Sequence, residues 1–183
     1  MSLQKEEIDP LPDTFLELSD VPSTYVGQGS RAVAVKADAS GLEFASVYAA
    51  RIYRNIDQSV PKLVTTVLVF TTAVRNDGEL WSAVSPTRLT APVAGWYQIL
   101  GSARWDASSA GTRSLSIRVN GDAILAEVVQ LGNGNGLAQN VITLYYLSAG
   151  GYVELCAYQD SGASRVIQNV AQYSPEFMMV KVG

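Results

Sequence analysis

Residues 114–129 constrain the fold most. In residues 114–119, Leu115, Ile117 and Val119 fall on one face of an extended chain while Ser116 and Arg118 fall on the other, the period of two that marks a half-buried strand. Asn120-Gly121 follows at once, and after Asp122 and Ala123 a second β-like run occupies residues 124–129. Asn and Gly tolerate the positive φ angles of a tight turn matched to strand twist, so this stretch predicts an antiparallel hairpin. A lone hairpin is only marginally stable in water, so this one must bury a face against further strands.

Such strands are predicted at residues 51–54, 63–72, 88–90, 95–105, 140–147, 152–159, 165–168 and 176–182, with breaks rich in Gly, Asn, Asp, Ser and Pro. Helical periodicity is almost absent. About ten short strands separated by turn signals predict an all-β, antiparallel two-sheet sandwich, most simply a jelly roll. The chain has 183 residues, 48% of them hydrophobic. A single sandwich of that order buries roughly 70% of its unfolded surface without disulfide or metal staples.

Residues 1–47 differ in character. They hold Pro10, Pro12 and Pro22 and two acidic clusters, with short strand candidates at 14–18 and 31–36 and turns between. Too small to bury a core of its own, this stretch is expected to be an N-terminal arm that docks on something, with residues 48–183 forming the jelly roll. Met1 to Glu7 contains no apolar stretch, which predicts synthesis in the cytoplasm without a signal peptide. No apolar run is long enough to insert in a membrane. The net charge of −4 and the lack of any Lys/Arg cluster argue against nucleic acid as a partner.

Composition narrows the chemistry. There is no His and one Cys, which removes Ser/His and Cys/His nucleophile pairs, thiolate zinc clusters and an intrachain disulfide. Paired carboxylates remain available for glycoside hydrolysis in Asp106, Asp122, Glu127, Glu154 and Asp160, although most fall at strand ends or turns. Arg75-Asn76-Asp77-Gly78-Glu79 offers oxygen ligands but lacks a twelve-residue calcium loop, and reads as a turn. Gly132-Asn133-Gly134-Asn135-Gly136 lacks the strand–loop–helix setting of a phosphate cradle and reads as an exposed loop. No catalytic residue, metal site or cofactor is expected. Cys156 reads as a small buried hydrophobe, and Trp81, Trp96, Trp105, Tyr145, Tyr146 and Tyr158 as core or interface packing rather than a platform for sugar rings.

Residues 63–70, 141–147 and 177–182 are apolar on both faces. A sandwich strand with one wet face reads polar there, so these strands are expected to be covered on the outside as well. Loops or the N-terminal arm would serve, and so would burial between identical subunits.

Several motifs carry a resemblance. Leu89-Thr90-Ala91-Pro92-Val93-Ala94-Gly95-Trp96-Tyr97 resembles the "apolar, Pro, x, x, Gly, x, Tyr" signature of complement-globular-head and tumour-necrosis-factor-like jelly rolls. Val119-Asn120-Gly121, residues 147–155 and the closing residues 174–181 resemble further elements of that superfamily, in the same order, over about residues 49–183. Gly151 stands where those proteins usually carry Asp, which removes any calcium or capping role of that carboxylate. The resemblance implies a homotrimer with outer-sheet residues around a threefold axis, and the interface residues it points to are Val64, Leu68, Phe70, Tyr145, Tyr158, Phe177 and Met179.

Residues 15–28, with 33–35 and 41–44, are similar to a short module found in fibre and other appendage proteins of tailed bacteriophages. This resemblance implies a virion component, anchored to capsid or tail proteins through Phe15, Leu16, Leu18, Val21, Pro22 and Tyr25. With only residues 1–47 ahead of the jelly roll, a short fibre or head decoration is expected rather than a long tail fibre. Asp106, Asn133, Asn135 and Asp160 are expected in exposed loops, where a host-surface glycan or protein would bind. The rival readings are a host-receptor adhesin, a polysaccharide hydrolase and a non-viral trimeric signalling or matrix domain.

Overall fold

The structure, a computed structural model, describes residues 19–182 apart from Tyr25, Ser30, Ala37 and Gln172. The chain divides into two compact units, Met1–Val47 and Tyr48–Gly183. Within the described residues of the first, β1 (Val33–Val35) and β2 (Leu42–Phe44) form an antiparallel pair. Gly41 closes this pair against the Asp20 carbonyl, where a Cβ would lie 2.4 Å from the oxygen.

The second unit is built from β3 (Ala49–Tyr53), β4 (Gln58–Val60), β5 (Thr66–Val67), β6 (Thr72–Asp77), β7 (Arg88–Thr90), β8 (Gly95–Trp105), β9 (Thr112–Val119), β10 (Ala123–Leu131), β11 (Leu137–Leu147), β12 (Tyr152–Gln159), β13 (Arg165–Ile167) and β14 (Glu176–Val182). They form an antiparallel sandwich. One sheet has five strands in the order β10-β9-β12-β5, with β7 also paired to β12. The other has seven, in the order β4-β13-β8-β14-β3-β6, with β11 paired to β8. The expected hairpin is β9–β10, and Asn120 and Gly121 take φ of 50° and 76°, the mirror-image turn geometry that suits strand twist.

The core is the single layer of side chains between the sheets. Alternate residues of β8 (Tyr97, Ile99, Ala103 and Trp105) meet Leu115 and Ile117 of β9, Val153 and Leu155 of β12, and Phe177 and Met179 of β14, all essentially fully buried. Gly101 sits in the same row of β8, and a Cβ there would lie 2.2 Å from Leu155 Cδ1. The absence of a side chain lets the two sheets approach at the point where Leu155 projects. The Phe70 and Phe177 rings stack 5.7 Å apart within the same layer.

One predicted strand is corrected. Residues 63–72 are not a single two-faced strand, because the chain crosses between sheets there. Pro61 and the positive φ of Leu63 (60°) turn the chain into the short β5, which pairs with β12, and β6 then pairs with β3 in the other sheet. The crossing is hydrogen-bonded by a side chain in place of a ladder: Gln58 Nε2 donates to the Val67 carbonyl at 3.0 Å, and the Val69 N–H donates to Gln58 Oε1 at 2.9 Å. Leu68 and Phe70 on this crossing are core residues, at 0% and 1% exposure.

Gly101→Val is predicted to overpack the sheet–sheet contact and lower unfolding stability by about 1–3 kcal/mol. A urea or thermal melt checks this; an unchanged midpoint would show that Leu155 has room to move aside.

Candidate interaction surfaces

The pairing of β8 fixes which side chains leave the sandwich. Register places Tyr146, Trp96 and Val182 in one row across β11, β8 and β14, Leu144, Gln98 and Val180 in the next, and Ile142, Leu100 and Met178 in the third. All share the outer face of the seven-stranded sheet. Trp96, Ile142, Leu144 and Tyr146 are each at least 50% exposed, and Val180 and Val182 are each 38% exposed. Scattered surface apolar residues are ordinary, but contiguous rows on one sheet face mark a contact surface. Trp96 and Tyr146 meet edge to face, centroids 5.8 Å apart at 77°.

Of the seven residues assigned to an interface on sequence grounds, four lie inside the sandwich and three lie off this face. Leu68, Phe70, Phe177 and Met179 are consumed by the core of one chain. Tyr145 pairs with the buried Tyr97, so it belongs to the opposite face of β11 from Tyr146 and lies at the rim of the sandwich. Tyr158 is half-buried on the outside of the five-stranded sheet, opposite Ser114, and Val64 is exposed ahead of β5. A second apolar face is present on β11 and β14, and on β14 it is made by Met178, Val180 and Val182 while Phe177 and Met179 face the core. Both faces of 141–147 are apolar, so sequence parity alone could not say which was inward, and the signal that settles it is the pairing of residue 101, a glycine, with Val141.

On the outer face of the five-stranded sheet the β7, β12 and β9 positions are largely polar, while β10 exposes Ile124, Val129 and Leu131. Arg88, Glu154 and Arg118 lie in register across β7, β12 and β9, with Arg118 Nη2 donating to Glu154 Oε2 at 2.8 Å. The Arg88 guanidinium lies 4.7 Å over the Tyr152 ring. Beside them Cys156 is buried, and burial pushes its thiol up to about 11.

Asp106, Asn133, Asn135 and Asp160 lie in loops that meet at one end of the sandwich, Asp106 half-buried and the other three exposed. The three loops are tied together by Ser108 N–H to the Asn133 carbonyl (2.9 Å), Gly132 N–H to the Gly111 carbonyl (2.8 Å) and Thr112 N–H to Asp160 Oδ1. That last bond holds the Asp160 carboxyl below its ordinary range. Asp106 is engaged by Arg165 at 3.5 Å and by the Val166 N–H at 3.2 Å. Asn133 and Asn135 are exposed.

Beneath the loops lies a residue that sequence reading passed over. Arg113 is fully buried, its guanidinium 5.6 Å over the Trp105 ring, and Nη1 donates to the Ala110 and Thr112 carbonyls at 3.0 and 2.9 Å. Trp105 Nε1 in turn donates to Gln139 Oε1 at 2.7 Å, and Gln139 Nε2 donates to the Arg113 carbonyl at 3.1 Å. This network supports the loops from within, and nothing in an alternating strand marks Arg113, which takes an inward position.

Four of the five carboxylates considered for hydrolysis are engaged structurally, and the fifth, Asp122, is exposed in the β9–β10 turn. Glu154 pairs with Arg118, Glu127 accepts from the Ser114 hydroxyl, Asp160 caps Thr112 and Asp106 pairs with Arg165. Among the described residues, no three His, Cys, Asp or Glu side chains cluster as metal ligands, and no helix is long and apolar enough to cross a membrane. In the N-terminal unit, Val21 and Pro22 line a hollow of about 410 Å³ with Gln28, Arg31 and Phe44. The other anchoring candidates, Phe15, Leu16, Leu18 and Tyr25, lie outside the described residues.

Cys156 is predicted to resist alkylation in the folded protein at neutral pH. Its raised pKa favours the neutral folded form, so this contribution to stability is complete below the ordinary value of 9.0 and is lost as pH rises through about 11. Thiol labelling and melts from pH 8 to 11 measure both; fast labelling without unfolding would contradict the burial.

No protein family description matches the chain, and no curated protein matches its sequence. Solved structures do match. Murine APRIL superposes with a TM-score of 0.57 at 11% identity, covering 74% of this chain and 99% of that one. The globular domain of zebrafish complement 1qA gives 0.54 at 13% identity over 75% and 98%. Eiger TNF from S. frugiperda gives 0.53 at 14% over 76% and 94%. At these identities the likeness shows the fold, and residues 48–183 therefore adopt the antiparallel jelly-roll sandwich of the tumour-necrosis-factor and complement 1q globular-head type.

Proposed function

We propose that this chain is a non-enzymatic structural protein that works as a homotrimer, its subunits joined through the outer face of the seven-stranded sheet. The observation that carries the reading is the contiguous patch formed by Trp96, Ile142, Leu144, Tyr146, Val180 and Val182, exposed in one chain. Roughly 25 cal/mol is gained per Å² of apolar surface removed from water, so a face of this size favours association. A threefold arrangement is supported by the jelly-roll motifs around residues 89–97 and 147–155. The absence of His and the structural engagement of Asp106, Glu127, Glu154 and Asp160 support a role without catalysis.

The finer reading is a short fibre or decoration on a tailed-bacteriophage particle. It is supported by the similarity of residues 15–28, 33–35 and 41–44 to phage appendage modules. On this reading the N-terminal unit attaches to capsid or tail proteins, and the loops bearing Asn133 and Asn135 face outward toward host-surface glycan or protein.

Light scattering is expected to give a native mass three times the 19.6 kDa chain. The double variant Ile142→Lys, Leu144→Lys is expected to reduce it to one chain with an unchanged circular dichroism spectrum, since both side chains leave the sandwich. A monomeric wild type, or a variant that stays trimeric, would refute the interface. Mass spectrometry of purified virions from a host carrying the gene tests the particle assignment, which fails if the chain is present only in the lysate.

A further inference from the structure

Asparagine is followed by glycine at three places, Asn120-Gly121, Asn133-Gly134 and Asn135-Gly136. That pair has a chemistry of its own. With no side chain to shield it, the glycine nitrogen can attack the asparagine Cγ and displace the side-chain amide as ammonia, closing a succinimide ring. The nitrogen must be free of other hydrogen bonds, Cγ must be able to swing onto it, and the carbonyl oxygen gains negative charge that a nearby donor stabilises. The fold treats the three pairs differently.

Asn120 is clamped. Its N–H donates to the Tyr152 carbonyl and its Oδ1 accepts from the Tyr152 N–H, both at 3.0 Å, so main chain and side chain are tied to β12. Gly121 is set in the turn at φ 76°. Swinging the Asn120 side chain onto the Gly121 nitrogen would break the bond that holds the turn to β12. At Asn135-Gly136 the nucleophile is engaged, because the Gly136 N–H donates to the Asn133 carbonyl at 3.0 Å. Gly136 is also packed, with the Trp105 carbonyl and the Arg104 guanidinium 3.0 and 3.3 Å from where a Cβ would stand.

Asn133-Gly134 is open. Both residues are exposed, and nothing lies within 4 Å of a Cβ built on Gly134. Among the described residues no group accepts a hydrogen bond from the Gly134 N–H. Asn133 Oδ1 accepts from the Asn135 N–H at 2.9 Å. That bond polarises the Cγ carbonyl, and the same N–H faces the oxygen on which charge develops when Cγ is attacked. The Asn133 main-chain carbonyl is held by the Ser108 N–H at 2.9 Å and the Gly136 N–H at 3.0 Å, which fixes the residue in this setting.

We propose that Asn133 is a site of self-modification, at which the Gly134 nitrogen displaces the side-chain amide. The bond from Cγ to the Gly134 nitrogen forms as the Cγ–Nδ2 bond breaks, and the proton of the Gly134 N–H leaves with the amide as ammonia. Water then opens the succinimide at either carbonyl, giving aspartate or isoaspartate, with no oxidant, reductant or cofactor. Either product adds one negative charge to the net −4 of the chain. It does so in an exposed loop bonded to the loop that follows Asp106. The isoaspartyl product also lengthens the main chain by one methylene. The loop surface therefore changes in charge and shape with the age of the chain, and the reaction needs no partner.

Incubating the intact protein at pH 8 and mapping its peptides by tandem mass spectrometry follows each asparagine separately. Acid and isoacid at Asn133 are expected to accumulate at least about tenfold faster than at Asn120 or Asn135. In urea, where all three pairs are released from the fold, the rates are expected to converge. Gly134→Val places a branched side chain beside the nitrogen in a position with room for it, and is expected to slow the reaction at Asn133 about tenfold with an unchanged melt. Reaction first at Asn120 or Asn135, equal rates at all three in the native protein, or an undiminished rate in Gly134→Val would overturn the proposal. So would the same preference for Asn133 persisting in urea, or a native Asn133 that stays intact while the unfolded chain reacts.

Discussion

Everything in the second unit depends on the contact between its two sheets, made through one layer of side chains and brought close where Gly101 faces Leu155. Once that layer is fixed, strand geometry decides the rest, because residues two apart share a face. Tyr97, Ile99, Ala103 and Trp105 turn inward, and Trp96, Gln98 and Leu100 are thereby directed outward. The outward set on β8, β11 and β14 is largely apolar. The outward set on β9 and β12 carries Ser114, Ser116, Arg118 and Glu154, with Arg118 bonded to Glu154 and Ser114 to Glu127 of β10. The sandwich therefore has one outer face crossed by an Arg88–Glu154–Arg118 row and one on which apolar side chains of three adjacent strands are contiguous.

Much of this was legible in the sequence. Asn120-Gly121 marked the hairpin, and the strands ending the chain lie where their β-like runs predicted. The double-faced character of β11 and β14 pointed correctly to a second apolar surface. Its members were not legible, because a strand apolar on both sides has no internal phase. Phase comes from pairing with β8, a long-range fact that no local pattern contains. Phe177 and Met179 were read as outward for this reason, while Val180 and Val182, their alternating neighbours, hold those positions.

The crossing at residues 68–71 failed for a related reason. Leu68 and Phe70 look like strand residues because they are apolar and extended, yet their N–H groups make single bonds to the Leu155 and Pro86 carbonyls, and Gln58 serves the backbone of Val67 and Val69 between and beside them. Arg113 is the converse case. A cation in an alternating strand reads as solvated, and only its place over Trp105 beneath the loop cluster explains its burial, which depresses its pKa. The loop end is thus internally braced, a rigid platform on which the exposed Asn133 and Asn135 are presented.

The central claim is that the outer face of the seven-stranded sheet is covered by other copies of the chain. Hydroxyl-radical footprinting of the native protein tests it most directly, because it reads side-chain accessibility residue by residue. Trp96, Leu144 and Tyr146 are predicted to be protected, while Tyr173, comparably exposed in the single chain, is oxidised. Oxidation of Trp96 and Tyr146 at the rate seen for Tyr173 would contradict the account.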